Sequence, residues 1–166
     1  MSYNNEMTLR FSAIKENESF ARLSVASFVS NINPTIEEIG DIKTALSEAI
    51  TNSIVHAYPK TTGDVIVNVK ISDNDVYITV TDYGIGIEDI DQAKQPFYTS
   101  KPETERSGMG FTVMEGFMDS VQVISSPNKG VIVSMYKKVG VMNMVVGGWN
   151  AWCITHPRID RRGAKE

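Results

Sequence analysis

A carboxylate and a carboxamide lie one helical turn apart at Glu48 and Asn52. Isoleucine, leucine and alanine recur around them at helical spacing, so both side chains share a polar stripe that continues to His56. Such a stripe is also typical of a solvated helix face. As chemistry, an asparagine oxygen suits Mg²⁺ beside phosphate oxygens and water, and a carboxylate one turn away can accept the proton of a reacting hydroxyl.

A second motif, Asp82-Tyr83-Gly84-Ile85-Gly86, follows a stretch in which apolar and polar residues alternate. Aspartate and glycine are common in any turn after a strand. A carboxylate fixed at a strand end can also accept a hydrogen bond from an exocyclic amine. Gly84 and Gly86 would let the backbone pass close to a planar base, because they carry no Cβ. The functional interpretation of this motif is therefore a nucleobase site.

A third motif, Arg106-Ser107-Gly108-Met109-Gly110-Phe111, opens an apolar segment with helical spacing. Two glycines are also compatible with an ordinary flexible helix start. The free N–H groups and positive dipole at a helix N-terminus favour phosphate, and glycine lets the chain approach its oxygens closely. The preceding polar segment, residues 96–107, suits a lid over a triphosphate. Its candidate phosphate-binding hydroxyls and cations are Thr99, Ser100, Lys101 and Arg106.

Periodicity predicts the elements that must position these motifs. A strand over residues 8–14 and a helix over 18–29 come first. Thr35 and Glu38 form a capping box at the start of a helix that should run to about Tyr58, before Pro59. The remaining prediction is a hairpin over 64–82, a short helix near 88–93, a helix over 108–118, and a second hairpin with strands 121–125 and 131–136.

These elements predict one α/β domain, a two-layer sandwich in which helices cover one face of a mixed, mostly antiparallel sheet. The chain has 166 residues, a net charge of −4 and one cysteine, Cys153. That composition excludes a disulfide scaffold and disfavours nucleic acid or an anionic membrane as the main partner. With no spanning apolar run and a polar N-terminus, we expect a soluble cytoplasmic protein.

The predicted domain covers residues 1–138, and residues 139–166 differ from it in kind. This tail carries four basic and two acidic side chains and is rich in methionine, tryptophan and glycine. Because it lacks hydrophobic periodicity, we expect it to be disordered. Two explanations stay open, a stretch that is not native to the protein and an extension that binds a partner.

In this order and spacing, the three motifs resemble the N, G1 and G2 boxes of the GHKL, or Bergerat-fold, ATP-binding family, over about residues 40–136. Within that family, residues 17–22, 47–52 and 95–111 are similar to the anti-sigma factor kinases of endospore-forming bacteria, and the likeness extends from about Asn5 to Lys138. The resemblance implies a serine kinase that uses Mg²⁺ and ATP, binds ADP, binds a sporulation sigma factor and phosphorylates an anti-anti-sigma factor.

The resemblance also implies a role for each motif residue. Asn52 would bind Mg²⁺, Asp82 would read adenine, and Glu48 would act as general base. Arg106 would neutralise the γ-phosphate, with Lys101 as a further candidate. The loop positions implied are Gly84 and Gly86 on the base side, and Gly108 and Gly110 on the phosphate side. We further expect ATP to order residues 96–107 and to tighten binding of the sigma factor.

The N-terminal segment has more apolar residues than one helix packed on a sheet plainly needs. The resemblance implies that this segment forms a homodimer and that the sigma factor docks across it, with Arg22 as a contact. The apolar residues concerned are Phe11, Phe20, Leu23, Val25 and Phe28.

One departure from the family concerns base recognition. Many relatives place a threonine near the end of the fold to hold a water beside adenine, where this chain has Val131-Ile132-Val133-Ser134. The alternative function is a non-catalytic module in which nucleotide only sets the shape that sequesters a transcription factor. A sensor histidine kinase is disfavoured, because no phosphoacceptor helix precedes the motifs. The larger GHKL machines need transducer domains that this length does not supply.

Overall fold

A computed structural model describes residues 4–95 and 108–140 of the chain. Its strands form one sheet of order β1-β2-β3-β5-β4, and every strand pair in it is antiparallel. The predicted two-layer α/β class is confirmed. In chain order the elements are β1 (Asn4–Ser12), α1 (Glu16–Val29), α2 (Ile36–Asn52), β2 (Asp64–Ser72), β3 (Asp75–Asp82), α3 (Ile90–Ala93), α4 (Gly110–Phe117), β4 (Ser120–Ser125) and β5 (Val131–Lys138).

The core lies between one face of the sheet and the helices. Strands β2 and β3 alternate buried and more exposed residues, as the period-two pattern predicts for a sheet with one covered face. The predicted hairpin over residues 64–82 is confirmed, and so is the second hairpin, β4 with β5. The fully buried large side chains come from both layers, including Ile42, Leu46 and Ile50 of α2 and Val65, Val67 and Val69 of β2.

Helix α2 begins with the predicted capping box. The Thr35 hydroxyl accepts from the Glu38 backbone N–H at 3.1 Å, and the Glu38 carboxylate accepts from the Thr35 N–H at 2.7 Å. The regular helix ends at Asn52, earlier than the predicted end near Tyr58, and one π-helical turn follows over Ser53–Ala57. Because that turn has wider hydrogen-bond spacing, the stripe through Glu48 and Asn52 does not run on regularly to His56.

Strand β1 starts at Asn4 and ends at Ser12, four residues earlier than predicted at its beginning and two at its end. Its register with β2 runs from Asn4 opposite Ser72 to Ser12 opposite Asp64. The length of β1 is therefore set by its pairing with β2. The alternation of Leu9 and Phe11 in the β1 sequence predicts only part of the strand. Among the described residues, no helix is long and apolar enough to cross a membrane.

Close packing continues past β5 to the last described residue. Val139 is fully buried, and its N–H and carbonyl both bond to Asn74, at 2.9 and 2.8 Å. The Gly140 N–H donates to the Glu38 carboxylate at 3.1 Å. The contacts of the domain thus extend two residues beyond Lys138. Gly140, the last described residue, lies beside the beginning of α2, roughly 20 Å from Asn52 at a rise of ~1.5 Å per residue.

Deleting residues 141–166 is expected to leave nucleotide affinity unchanged and the melting temperature within roughly 2 °C, the equivalent of about 1 kcal/mol or less. Deletion from residue 139 is the matched comparison. It also removes the buried Val139 side chain, whose burial contributes ~1.5–3 kcal/mol, and should lower the melting temperature by roughly 5 °C or more. Thermal unfolding of both truncations and a nucleotide titration provide the check. A drop of several degrees in the shorter deletion would show that the tail packs on the domain.

Candidate functional site

Asp82, the last residue of β3, is a buried carboxylate whose side chain is held from three directions. Its residue is only 2% exposed. Oδ2 accepts from the Ser53 hydroxyl at 2.9 Å, and Oδ1 accepts from the backbone N–H groups of Gly84 at 3.1 Å and Val131 at 3.2 Å. Burial raises the pKa of Asp82, while these donors oppose that shift. The carboxylate is thereby oriented, and a free lone pair on Oδ2 can accept from an amine.

The π-helical turn joins α2 to the loop after β3. The Ala57 carbonyl accepts from the Ile85 N–H at 2.9 Å, and the Tyr58 hydroxyl accepts from the Tyr83 N–H at 2.9 Å. Any side chain at Gly84 would collide with the Ala57 carbonyl, so this close approach requires glycine. The loop therefore has a fixed position relative to the end of α2.

Gly86 adopts a positive φ of 72°, which disfavours other residues there. A side chain at this position would also strike the Ser126 carbonyl. One residue earlier, the Ile85 carbonyl accepts from the Asn128 N–H at 2.7 Å. The base-side loop is thus held between the π-helical turn and the β4–β5 turn.

The phosphate-side candidates lie against the carboxylate and carboxamide of α2. Gly108 has a φ of 58°, and Gly110 is the first residue of α4. A Cβ placed on Gly110 would lie 3.2 Å from Glu48 Oε2 and 3.2 Å from Asn52 Nδ2. The N-terminus of α4 therefore faces Glu48 and Asn52 directly, and a side chain at Gly110 would force one of them to shift.

The three motifs converge at the end of α2. Asn52 faces Gly110, and the next residue, Ser53, hydrogen-bonds to Asp82. Residues of all three motifs therefore lie close to the Asn52–Ser53 peptide. The structure brings together the predicted residues Glu48, Asn52, Asp82, Gly84, Gly86 and Gly110, and Gly108 precedes Gly110 by two residues. The predicted residues Thr99, Ser100, Lys101 and Arg106 lie outside the described residues.

Sequence reasoning missed Ser53, Ala57 and Tyr58. Ser53 orients Asp82, while Ala57 and Tyr58 hold the loop after β3. Ser53 directly follows the candidate ligand Asn52 in the sequence, and this adjacency could have indicated that its hydroxyl belongs to the site. The sequence carried no sign of the π-helical turn.

The donor set fits a magnesium ion that is bound mainly through phosphate. Glu48 and Asn52 offer hard oxygens beside the N-terminus of α4. Among residues 4–95 and 108–140, no group of three or more histidine, cysteine, aspartate or glutamate side chains is placed to hold a metal by itself. A metal at this site would therefore take the rest of its coordination from ligand oxygens and water.

Comparison with known proteins identifies the family. Residues 11–137 match the histidine kinase-like ATPase domain. The anti-sigma F factor of Clostridium kluyveri is 56% identical over 135 residues, which are 81% of this chain and 95% of the relative. The anti-sigma F factors of Oceanobacillus iheyensis and Bacillus subtilis are 53% and 52% identical, over 81% and 80% of this chain and 93% and 92% of theirs.

A solved structure supports the fold independently. The crystal structure of the RsbU and RsbW domains of Rv1364c from Mycobacterium tuberculosis superposes with a TM-score of 0.59 at 15% identity. The match covers 81% of this chain and 32% of that one. Together with the converging motifs, these findings show that the chain belongs to the anti-sigma F factor family and has its histidine kinase-like, nucleotide-binding ATPase domain.

Proposed function

We propose that the chain is a protein serine kinase and anti-sigma factor that inhibits a sporulation sigma factor and phosphorylates an anti-anti-sigma factor with Mg-ATP. The observation that carries the proposal is the position of the end of α2 between the other two motifs. On one side Glu48 and Asn52 lie against Gly110, and on the other side Ser53 hydrogen-bonds to Asp82. One group of side chains thus has a base-recognition end and a phosphate end. ADP would occupy the same site after transfer, and we place this activity in the cytoplasm.

At the base end, Asp82 accepts from the adenine amine. Guanine carries a carbonyl oxygen at that position, so two acceptors would face each other in a buried site, and we expect adenine to be preferred. Gly84 and Gly86 keep the loop close to the ring plane. The Ser53 hydroxyl and the two backbone N–H groups hold the carboxylate in place before the nucleotide arrives.

At the phosphate end, the backbone N–H groups at the start of α4 and its positive dipole end bind phosphate oxygens. Asn52 would hold Mg²⁺, which when bound neutralises charge on the transferring phosphoryl group. Glu48 accepts the proton of the acceptor serine hydroxyl, which is typically worth a factor of ~10²–10⁴ in rate. Thr99, Ser100, Lys101 and Arg106 complete the proposed phosphate contacts.

The proposed homodimer would use the N-terminal segment. Of the apolar residues there, Val25 is fully buried and Phe28 is partly buried against the core, whereas Phe20 and Leu23 are 59% and 58% exposed. These two lie on one side of α1, three residues apart. Their exposure supports a docking surface on α1, and the neighbouring Arg22 is the proposed contact to the sigma factor.

The test is to incubate the purified chain with Mg-ATP and an anti-anti-sigma factor of a spore-forming bacterium, and to look for phosphoserine by mass spectrometry. We expect phosphoserine with the wild type and none with Asn52→Ala, because that variant loses the metal ligand. Asn31→Ala is the matched control, since Asn31 is exposed and, within residues 4–95 and 108–140, its side chain donates to the nearby Phe28 carbonyl. Asn31→Ala should phosphorylate like the wild type.

The same assay, with a parallel measurement of sigma-factor binding with and without ATP, separates the kinase from the non-catalytic alternative. A pure binding module would retain the sigma factor more tightly with ATP than without it, and would leave the anti-anti-sigma factor unmodified. In either case, the factor by which ATP tightens binding of the sigma factor must equal the factor by which the sigma factor tightens binding of ATP, so phosphorylation alone distinguishes the two functions. Nucleotide-dependent sigma binding without phosphoserine would overturn the proposed kinase activity.

A further inference from the structure

A lysine lies on the buried face of the sheet. In β5 the inward positions are Val133, Met135 and Lys137, and Lys137 is 9% exposed. Its ammonium group donates to the Phe117 carbonyl at 2.8 Å and lies 3.0 Å from Asp41 Oδ2. Lysine is rarely buried unless it is paired. This one joins three elements, since Asp41 belongs to α2 and Phe117 is the last residue of α4.

The contact with Phe117 anchors α4 at the end opposite to its proposed phosphate site. A carbonyl at a helix C-terminus lacks an intrahelical partner and carries the negative dipole end, so a buried cation satisfies it well. An ion pair on α4, Lys94 with Glu115, has side chains 30% and 49% exposed and contributes little. Among the described contacts, Lys137 is therefore the more buried of the two charged links between α4 and the rest of the domain.

The position of α4 decides the geometry at its other end. A helix of eight residues moves as a short rod, so a shift at Phe117 is carried to Gly110. There the clearance is small, since a single added Cβ would already lie 3.2 Å from Glu48 and from Asn52. A movement of α4 along α2 would either crowd these side chains or separate them from the phosphate-side loop.

We propose that Lys137, held by Asp41, is a positioning residue that sets the phosphate-side loop at Gly108–Gly110 against Glu48 and Asn52. The inference rests on the proposed function, because it assumes that this loop binds nucleotide phosphates. Lys137 touches no part of the base-side loop in the described contacts. It should therefore affect recognition of the phosphates and leave recognition of the base unchanged.

The experiment compares ATP with adenosine, which lacks phosphates, for the wild type and Lys137→Met. ATP affinity is measured by calorimetry and adenosine affinity by NMR titration. We expect ATP to bind about tenfold more weakly or worse, and adenosine to change by less than about twofold. The ratio of the two affinities is the readout, because general destabilisation would weaken both ligands together.

Two further variants make the result decisive. Asp41→Leu combined with Lys137→Met replaces the ion pair by apolar side chains, which is often neutral or favourable for stability. This variant still leaves the Phe117 carbonyl without its donor and should show the same loss of ATP affinity. Lys138→Met is the matched control, because Lys138 is exposed on the same strand and pairs with Asp75, away from α4.

Each outcome has a definite meaning. An unchanged ATP affinity in the double variant, or a parallel loss of ATP and adenosine, would overturn the positioning role and leave the proposed function standing. If the wild type bound neither ligand, the proposed function would fail, and this inference with it. A selective loss of ATP in both variants, with Lys138→Met like the wild type, supports the inference.

Discussion

Replacing Asp82 with asparagine is expected to weaken ATP binding by roughly one to two decades while the fold stays intact. Gly84 and Val131 both donate to Oδ1, so the oxygen of the new amide must take that side. Its NH₂ group then occupies the place of Oδ2 and faces the adenine amine, donor against donor. An unsatisfied polar group in such a site costs ~1–3 kcal/mol.

The fold should tolerate Asp82→Asn, because the Ser53 hydroxyl can rotate from donor to acceptor. Asparagine is uncharged, so the variant also avoids the cost of burying a charged carboxylate, which is the cost that raises the pKa of Asp82. Nucleotide titration and thermal unfolding of the variant are the measurements. Asp89→Asn is the matched control, since Asp89 caps α3 and asparagine caps equally well. Wild-type ATP affinity in Asp82→Asn would mean that the base is recognised elsewhere.

Replacing Glu48 with glutamine should retain ATP binding and reduce phosphoryl transfer by a factor of ~10²–10⁴. The amide keeps the shape of the side chain beside Gly110, so Asn52 and the start of α4 can stay in place. It has no basic oxygen to take the serine proton. The interaction lost belongs to the transition state, and ground-state binding is largely unaffected.

Single-turnover transfer to the anti-anti-sigma factor at saturating ATP measures the chemical step, and a separate titration measures nucleotide affinity. Glu37→Gln is the control on the same helix, because Glu37 is exposed in its first turn. A Glu48→Gln protein that transfers phosphate near the wild-type rate would eliminate Glu48 as the general base. Loss of transfer together with loss of ATP binding would make Glu48 part of the nucleotide site.

Elements with local causes could be predicted from the sequence. The capping box at Thr35 and Glu38 depends on residues three apart, and the hairpin over 64–82 depends on alternation about a short turn. The three motifs were recognisable for the same reason, because each is a short run of residues whose types suit one kind of ligand. These patterns predicted the two-layer class, which the structure confirms, and most residues of the candidate nucleotide site.

Features that depend on distant partners were decided only by the tertiary structure. β1 takes its length from β2, and the π-helical turn after Asn52 places Ser53 on Asp82 and Ala57 against Gly84. The alternation along β5 predicts that Lys137 faces inward, but it does not predict the partners of its ammonium group, which lie on α2 and α4. Local patterns encode backbone conformation and which side faces the core. Which polar groups then meet inside follows from packing the layers together, since each buried charge must find a partner among residues the chain brings in from elsewhere.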